Sequence, residues 1–384
     1  MSAPERGFAQ AEFHARTRRA QDLMRRADLS ALLLTTEPEI RYYTGFLTRF
    51  WESPTRPWFV VVPADAAPVA VIPAIGAHLM AQTWIRDIRT WAAPDYTDDG
   101  IGLLAETLAQ FVPARGAIGL ADELESHVRM PLANLEHLRR EIGTRRIVGD
   151  RGITATARLC KSDAEIAKIR HAADIADRAF DRVGEICAPG TPLSTVFRRF
   201  QMLCLDEGAD WVPYLAGAAA PGGYGDVISP ATDVPVAEGD VLMLDTGVIW
   251  DGYFCDFDRN FAIGVPGQAV LSAHRQLIDA TAAAFETARP GQTMADLFHA
   301  MAPILGLGSG GGRLGHGLGM QLTEGPSIIP ADHTELAPGM VLTIEPCVAL
   351  PDGKIMVHEE NIVIRADGPE YLSTPQEREI RRLC

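Results

Sequence analysis

The most informative segment of this sequence reads Asp240-Val-Leu-Met-Leu-Asp-Thr-Gly-Val-Ile-Trp-Asp-Gly-Tyr-Phe-Cys-Asp-Phe-Asp-Arg-Asn-Phe-Ala-Ile263. Its two apolar runs are rich in β-branched and aromatic residues, and the dipeptide Asp-Gly between them is typical of a two-residue hairpin turn. In such a turn Trp250 pairs with Tyr253, which places Asp245 opposite Asp258. The segment therefore predicts an antiparallel pair of strands with acidic residues at its centre.

Three acidic residues share one face of this predicted hairpin. Asp256 and Asp258 are two residues apart, so their side chains point to the same side, and Asp245 faces them from the neighbouring strand. Like charges at this spacing repel, so a fold keeps them together only where a cation or retained protons offset the repulsion. The alternative is a solvated face of an acidic protein, and the hairpin alone does not choose between the two.

A histidine and two glutamates further along the chain favour a compensated acidic cluster over a solvated face. His316 lies in Gly310-Gly-Gly-Arg-Leu-Gly-His-Gly-Leu-Gly319, where glycines let the backbone approach closely. Glu345 follows the apolar run Met340-Val-Leu-Thr-Ile344, where an ionised group is costly unless it is paired or bound to a metal. Glu359 belongs to a second predicted strand, which continues to Ile364.

The turn between these two strands leaves two registers open. If Asp352-Gly353 forms a two-residue turn, Glu360 lies opposite Glu345. If the loop has three residues, Glu359 takes that position instead. The sequence does not choose between them.

The order Asp245, Asp256, His316, Glu345-Pro and Glu359 resembles that of the pita-bread metallohydrolases, which include aminopeptidase P, prolidase, methionine aminopeptidase and creatinase. The resemblance covers essentially the whole chain. The segment Arg158-Leu-Cys-Lys-Ser-Asp-Ala-Glu-Ile166 is similar to the start of the family's catalytic domain. Arg41-Tyr-Tyr-Thr-Gly-Phe46 is similar to part of the creatinase-type amino-terminal domain.

The resemblance implies an α+β protein with a creatinase-type α/β domain over residues 1–152. A pita-bread catalytic domain follows over residues 153–384, with an antiparallel sheet and flanking helices. It also implies a homodimer, and two divalent ions bound by four carboxylates and one imidazole. Oxygen-rich ligation suits Mn, Fe, Co or Zn. A metal-bridging hydroxide would then cleave an amide C–N bond in a small molecule or a short peptide. The implied metal ligands are Asp245, Asp256, His316, Glu345 and Glu359.

The sequence departs from the family where the peptidases carry three accessory histidines. Counted from the ligands, these positions hold Ile228, Gly312 and Thr323. In the peptidases these imidazoles bind the substrate carbonyl and relay protons, and losing such help typically costs about two to four decades in rate. The departures therefore favour a substrate other than an ordinary prolyl peptide.

Other side chains are candidates for the chemistry that the histidines would perform. Asp258 is an additional ligand or a proton carrier, unless it forms a salt bridge with Arg259 or another base. Glu324 is a further candidate for which a supporting role is favoured, and His333 lies in a loop that either covers the site or is simply solvated. The candidates for substrate binding are Arg49, Trp51, Arg56, Trp211, Tyr214 and Thr323. Arg49 and Arg56 are suited to holding a substrate carboxylate, although the tract around them is equally consistent with a domain-interface segment.

Three functions are consistent with these residues. The first is a metal-dependent hydrolase that resembles Xaa-Pro aminopeptidase and prolidase, with a non-standard small substrate. The second is a non-peptide or non-hydrolytic enzyme on the same fold, similar to ectoine hydrolase or dimethylsulfoniopropionate lyase. The third and least favoured is a non-enzymatic binding protein, because such relatives usually lose the metal ligands.

Composition argues against several other classes of protein. A formal net charge of −15 argues against nucleic acid as a partner. No apolar run reaches the length of a membrane span, and the first residues lack the apolar stretch of a signal peptide, so a cytoplasmic enzyme without membrane contact is expected. The six cysteines are scattered, which agrees with a reducing compartment. Cys255 is expected to point away from its neighbour Asp256 and to serve in packing.

Overall fold

The computed structural model describes residues 3–53, 56–308 and 312–383. The chain forms two compact units, one over Glu5–Arg158 and one that begins at Leu159. The helix that begins at Ile153 belongs to the first unit as far as Arg158. Arg19 and the Tyr42 hydroxyl both donate to the carbonyl of Ala157, at 3.1 and 2.6 Å.

The first unit is built on a six-stranded sheet of order β4-β3-β2-β1-β5-β6. Its strands are β1 (Ala31–Leu34), β2 (Phe59–Pro63), β3 (Val69–Pro73), β4 (Asp87–Trp91), β5 (Ala117–Leu120) and β6 (Arg146–Gly149). Its helices are α1 (Gln10–Arg26), α2 (Glu37–Thr44), α3 (Ala77–Met80), α4 (Ile101–Phe111), α5 (Leu132–Glu141) and α6 (Ile153–Leu159).

Apolar side chains of the central strands and of α4 form the core of this unit. Leu33, Val61 and Val71 of β1 to β3 pack with Leu104 and Leu108, and all are buried. Because β1 has apolar residues at every position and is buried throughout, it occupies the middle of the sheet.

The second unit contains two larger sheets, of order β18-β10-β8-β7, with β9 paired to β8, and β12-β11-β13-β16-β17. Its strands are β7 (Trp211–Pro221), β8 (Asp240–Trp250), β9 (Tyr253–Phe254), β10 (Phe257–Ile263), β11 (Gly315–Gly317), β12 (Glu324–Ser327), β13 (Val341–Ile344), β14 (Cys347–Ala349), β15 (Ile355–Val357), β16 (Glu360–Arg365), β17 (Gly368–Tyr371) and β18 (Arg381–Leu383). Its helices are α7 (Asp163–Asp181), α8 (Leu193–Asp206), α9 (Gln268–Thr287) and α10 (Met294–Leu305). Among the described residues, no helix combines the length and the apolar character needed to cross a bilayer.

Two pairs of helices cover these sheets, each with its own apolar core. The first core joins α7 and α8 to β8 and β10 and contains Phe180, Phe200 and Phe261. Cys255 belongs to this core and is fully buried, as the expected packing role requires. The second core joins α9 and α10 to the strands that follow them, and includes Leu277. Helix α7 begins after its N-cap residue Ser162, with a capping box between Ser162 and Glu165.

The predicted hairpin is confirmed with its register. Trp250 pairs with Tyr253 across the Asp-Gly turn, and Asp245 lies opposite Asp258. The left-handed backbone of Asp251, with φ of 45°, and of Gly252, with φ of 79°, agrees with the tight turn expected of this dipeptide.

The loop between β14 and β15 resolves the choice of register that the sequence left open. Leu350 donates to the carbonyl of Lys354 at 2.7 Å, which leaves a loop of three residues, Pro351–Gly353. Ile344 therefore pairs with Glu360, and Cys347 pairs with Val357, so Glu345 and Glu359 lie between these two pairs on their respective segments. Residues 216–221 belong to β7, since strand pairing with β8 outweighs their low β propensity.

A buried ion pair connects α7 to the hairpin turn. Lys168 of α7 donates to Asp251 at 2.5 Å, and both side chains are almost fully buried. The Lys168 ammonium also lies 5.4 Å from the centre of the Trp250 ring. The position of the strands that carry Asp245 and Asp256 therefore depends on this contact.

Replacing Lys168 by methionine should leave the Asp251 carboxylate buried without its cation. We expect a loss of about 3–5 kcal/mol in the free energy of unfolding, measured by urea denaturation. The double variant Lys168→Met/Asp251→Asn should recover part of this loss. The control Arg378→Met removes an exposed pair with Asp279 and should cost less than about 1 kcal/mol. A Lys168→Met variant as stable as that control would contradict the assigned role.

Candidate metal centre

Two of the predicted ligands come from the hairpin. Asp245 lies in the middle of β8, a strand buried at every position, and Asp256 lies just before β10. The backbone at Asp256 is held by Asn361 of β16, whose amide oxygen accepts from the Asp256 N–H at 2.9 Å and whose amide nitrogen donates to the Asp256 carbonyl. The hairpin and the second sheet are thereby joined at a ligand.

His316 is presented by β11 in a form suited to metal binding. Its Nδ1 lies 2.8 Å from the Gly317 carbonyl, which can only accept, so Nδ1 carries the proton and Nε2 keeps its lone pair. Nε2 lies 3.5 Å from Oδ2 of Asp256. Burial lowers the pKa of His316 to about 4, so the ring is neutral near pH 7.

The two glutamates flank neighbouring strands of the second sheet, since Glu345 follows β13 and Glu359 precedes β16. The N–H of Glu345 donates to the Leu314 carbonyl at 2.9 Å, which connects this ligand to the segment that carries His316. Glu359 accepts a hydrogen bond from the Thr343 hydroxyl and donates its own N–H to Oδ1 of Asp258 at 3.1 Å. Both the side chain and the backbone of Glu359 are thus fixed.

These donors fit a divalent cation. Asp256, His316 and Glu359 each offer a ligand atom, and these atoms lie within 4.8 Å of one another. Oδ1 of Asp245 is buried and has no hydrogen-bond partner among the described residues. Burying an oxygen in this way is costly unless a cation binds it. Carboxylate and imidazole donors together suit divalent transition metals.

The carboxylates strongly oppose one another's ionisation. Burial, followed by the charges of neighbouring carboxylates, raises the pKa of Asp245, Asp256 and Glu359 well above the ordinary range. Burial raises the pKa of Glu345 to about 7, although Arg313 acts in the other direction. The cluster therefore needs compensating positive charge to exist in its ionised form.

Asp258 belongs to a second, charge-balanced group behind the ligands. Oδ1 of Asp258 lies 3.5 Å from Nδ1 of His358, and Nε2 of His358 lies 3.2 Å from Glu360. Glu360 accepts from Arg259 at 2.9 Å, and Arg259 also donates to the Glu359 carbonyl at 3.0 Å. The side-chain partner of Asp258 is therefore His358, whereas Arg259 donates only to its backbone.

The charges of this group stabilise one another. Burial alone would lower the pKa of His358, but its contacts with Asp258 and Glu360 outweigh burial and raise it. Burial opposes ionisation of Glu360, yet Arg259 and His358 hold its pKa at about 2. These contacts therefore favour the protonated form of His358 and the ionised form of Glu360.

Glu324 is bound in a way that suits a supporting role. Its two carboxylate oxygens accept from Lys161 at 3.2 Å and from the backbone N–H groups of Met320 and Gln321 at 3.1 and 3.3 Å. These contacts hold the loop from Leu318 to Thr323 in place. A part for Glu324 in proton transfer stays a prediction.

Tyr214 contacts one of the predicted ligands directly. Its hydroxyl donates to Oδ2 of Asp245 at 3.0 Å, and its side chain is partly exposed. Trp211 lies at the start of the same strand, paired with Ile249. Gly247 has no room for a side chain, since a Cβ there would meet Leu322 at 2.4 Å. The loop that carries Thr323 therefore packs against β8 close to Tyr214.

The three residues that stand where the family's peptidases carry accessory histidines differ in solvent exposure. Ile228 is 80% exposed, Gly312 is exposed and Thr323 is partly buried. Residues 309–311, including Gly310 and Gly311 of the glycine-rich segment, lie outside the described residues. His333 is exposed in a loop at the amino-terminal end of α10, where the carbonyl of Thr334 accepts from Met294. These surroundings are those of a solvated loop histidine.

The candidates of the amino-terminal unit have partners within that unit. Arg49 pairs with Glu52 at 2.5 Å, and Arg56 lies 5.2 Å from the centre of the Phe50 ring. Trp51 is buried, and the Arg129 guanidinium lies 5.2 Å from its ring. Pro54 and Thr55 of the same tract lie outside the described residues. A part in substrate binding for these side chains stays a prediction.

Several residues that complete the centre were missed or underrated from sequence. Thr343 and Asn361 are polar side chains inside apolar strands, a signal that predicts a specific partner. His358 borders Glu359 in sequence, and alternation along a strand predicts that its side chain points to the opposite face.

Comparison with known proteins agrees with this geometry. The sequence profile of metallopeptidase family M24 matches residues 167–366, and that of the creatinase/prolidase N-terminal domain matches residues 16–160. A probable dipeptidase, PepE of Mycobacterium bovis, is 28% identical over 349 residues, or 89% of each chain. An Xaa-Pro dipeptidase of Pyrococcus horikoshii is 28% identical over 258 residues, or 65% of this chain and 72% of the relative.

The fold is also shared with a solved structure. The crystal structure of dipeptidase PepE from Mycobacterium ulcerans matches with a TM-score of 0.84 and 25% identity, over 98% of this chain and 99% of that one. The expected architecture, a creatinase-type domain followed by a pita-bread catalytic domain, is confirmed. The chain belongs to metallopeptidase family M24 and is a metal-dependent hydrolase.

Proposed function

We propose that this protein cleaves the amide C–N bond of a small, dipeptide-sized substrate with two divalent ions, each Mn, Fe, Co or Zn. The observation that carries the proposal is the buried convergence of Asp256, His316 and Glu359 within 4.8 Å, next to the unpartnered oxygen of Asp245. Glu345 completes the proposed ligand set. Four carboxylates match the charge of two divalent ions.

The residues of the chain have separate parts in the proposed reaction. When bound, the ions would supply an activated water and withdraw charge from the scissile carbonyl. Tyr214 holds one carboxylate oxygen of Asp245 and leaves the other directed to the metal site. Asp258 and Arg259 hold the two sides of the Glu359 backbone. The proposed enzyme thus positions its ligands by hydrogen bonds from several strands.

A second candidate function is a non-peptide or non-hydrolytic reaction on the same fold. The observation that favours it is the presence of Ile228, Gly312 and Thr323 where the sequence comparison expects histidines. Isoleucine and glycine side chains cannot transfer protons, so another group or another reaction must take over that part. A cytoplasmic location and a homodimeric assembly remain predictions from the sequence.

A substrate panel separates the two functions. We expect the protein, supplied with Mn, Co, Zn or Fe, to hydrolyse a small amide or a dipeptide. Because the accessory histidines are missing, kcat/KM for Xaa-Pro dipeptides should lie about two to four decades below that for the preferred substrate. The measurement is product formation across Xaa-Pro dipeptides, other dipeptides, small amides and sulfonium compounds. Cleavage of a sulfonium compound alone would support the second function.

The ligand set is tested through metal content. Purified protein should hold about two equivalents of transition metal, measured by mass spectrometry of the metals. Asp245→Ala or Glu345→Ala should remove metal and activity together, because each leaves a cation with too few donors. The control Glu370→Ala changes a half-exposed carboxylate that pairs with Arg170, and it should keep both. Full metal content in Asp245→Ala would exclude Asp245 as a ligand.

The support given by Asp258 is tested by two substitutions. Asp258→Ala removes the acceptor of the Glu359 N–H and should weaken metal affinity about ten- to a hundredfold, as losing a hydrogen-bond partner of a ligand typically does. Asp258→Asn keeps an acceptor oxygen and should retain more of the affinity. Metal titration with a competing chelator measures both. Equal affinity in wild type and Asp258→Ala would leave Asp258 without a part in metal binding.

A further inference from the structure

A cavity of about 540 Å³ lies in the second unit, beside the carboxyl-terminal segment. Its wall includes the rings of Phe180 of α7 and Phe261 of β10, together with Pro375 and Ile380. The five predicted metal ligands, all of them described, lie outside this wall. A cavity of this size with apolar walls accommodates a small molecule.

Asp177 of α7 contributes a carboxylate to the cavity wall, and its side chain is 14% exposed. One oxygen, Oδ2, accepts from the Thr374 N–H at 2.7 Å. The other, Oδ1, lies 3.6 Å from Nη2 of Arg259, but that nitrogen donates to Glu360 at 2.9 Å. Burial raises the pKa of Asp177 to about 6, although Arg259 acts in the other direction. The negative charge of Asp177 is therefore only partly compensated.

The other charges of the cavity wall leave it negative. Arg381 pairs with Asp181 at 3.1 Å, and Glu379 pairs with Arg275 at 2.7 Å. Glu377 is exposed and adds a further carboxylate. Among the described residues, four carboxylates and two guanidinium groups thus line the cavity. This excess of negative charge favours a ligand that carries positive charge.

Arg259 connects the cavity with the proposed metal centre. Its Nη1 donates to the carbonyls of Asp258 and Glu359 at 2.6 and 3.0 Å, and its Nη2 donates to the Thr374 carbonyl at 2.6 Å. The same guanidinium therefore lines the cavity and holds the backbone of a predicted ligand. A charge bound beside Asp177 is separated from the Glu359 backbone by this one side chain.

We propose that this cavity is a regulatory site for a small organic cation, which pairs an ammonium group with Asp177 and packs an apolar ring against Phe180 and Phe261. An ammonium group donates charge-assisted hydrogen bonds to a carboxylate, and a ring fills an apolar wall with a large contact area. The ammonium group and the proposed metal ions carry charge of the same sign, so each weakens the binding of the other. The site is separate from the one proposed for amide hydrolysis.

The test compares benzylamine, which is protonated near pH 7, with benzyl alcohol, its neutral counterpart. Binding of each to the metal-loaded protein is measured by titration calorimetry. Benzylamine should bind with a Kd of about 1 mM or lower. Benzyl alcohol should bind about tenfold or more weakly, because it lacks the charged hydrogen bond. Asp177→Asn keeps an oxygen that can accept from Thr374, and it should weaken benzylamine binding about tenfold while leaving that of benzyl alcohol nearly unchanged.

The control variant Asp279→Asn changes an exposed carboxylate that pairs with Arg378 outside the cavity, and it should leave the binding of both compounds unaffected. Metal affinity, measured with a competing chelator, should fall about fivefold or more in saturating benzylamine. Equal binding of the amine and the alcohol to wild-type protein would overturn the proposal, and this comparison depends on the folding of no variant. Unchanged benzylamine binding in Asp177→Asn, or unchanged metal affinity, would overturn it as well. Because no substrate is used, failure of the proposed hydrolysis would leave this test unaffected.

Discussion

The mutual repulsion of buried carboxylates is the constraint on which the catalytic unit depends. Asp245, Asp256 and Glu359 are buried side by side, and burial together with their neighbours' charges raises the pKa of each. Such an arrangement is unfavourable unless protons or cations compensate it. The surrounding fold must therefore hold the side chains in place against their own repulsion, which a bound cation would remove.

The structure meets this constraint by bonding the ligands' backbones as well as their side chains. Asn361 holds the backbone of Asp256, and Asp258 with Arg259 holds that of Glu359. These contacts run between the hairpin and the second sheet, so the two sheets are connected at the ligands themselves. A ligand whose peptide group is fixed on both sides keeps its position even when the charge around it changes.

Much of this fold follows from local sequence, because the signals act over a few residues. The turn Asp251-Gly252 determines the register that brings Asp245 opposite Asp258, and the capping box at Ser162 determines where α7 begins. Other features depend on contacts between residues far apart in the sequence. The length of the loop Pro351–Gly353 follows from the pairing of the strands on either side of it. Residues 216–221 form a strand because β8 lies beside them.

The sequence by itself determined the kinds of the proposed metal donors, their order and the two-domain organisation, since these depend on residue identity and on short-range patterns. Only the tertiary structure decided which groups support them. His358 joins Asp258 to Glu360, and Asn361 holds the backbone of Asp256, through contacts between residues far apart in the chain. The physical reason is that hydrogen bonds and charge interactions depend on distance in space, and that distance follows from the packing of the sheets rather than from any local pattern.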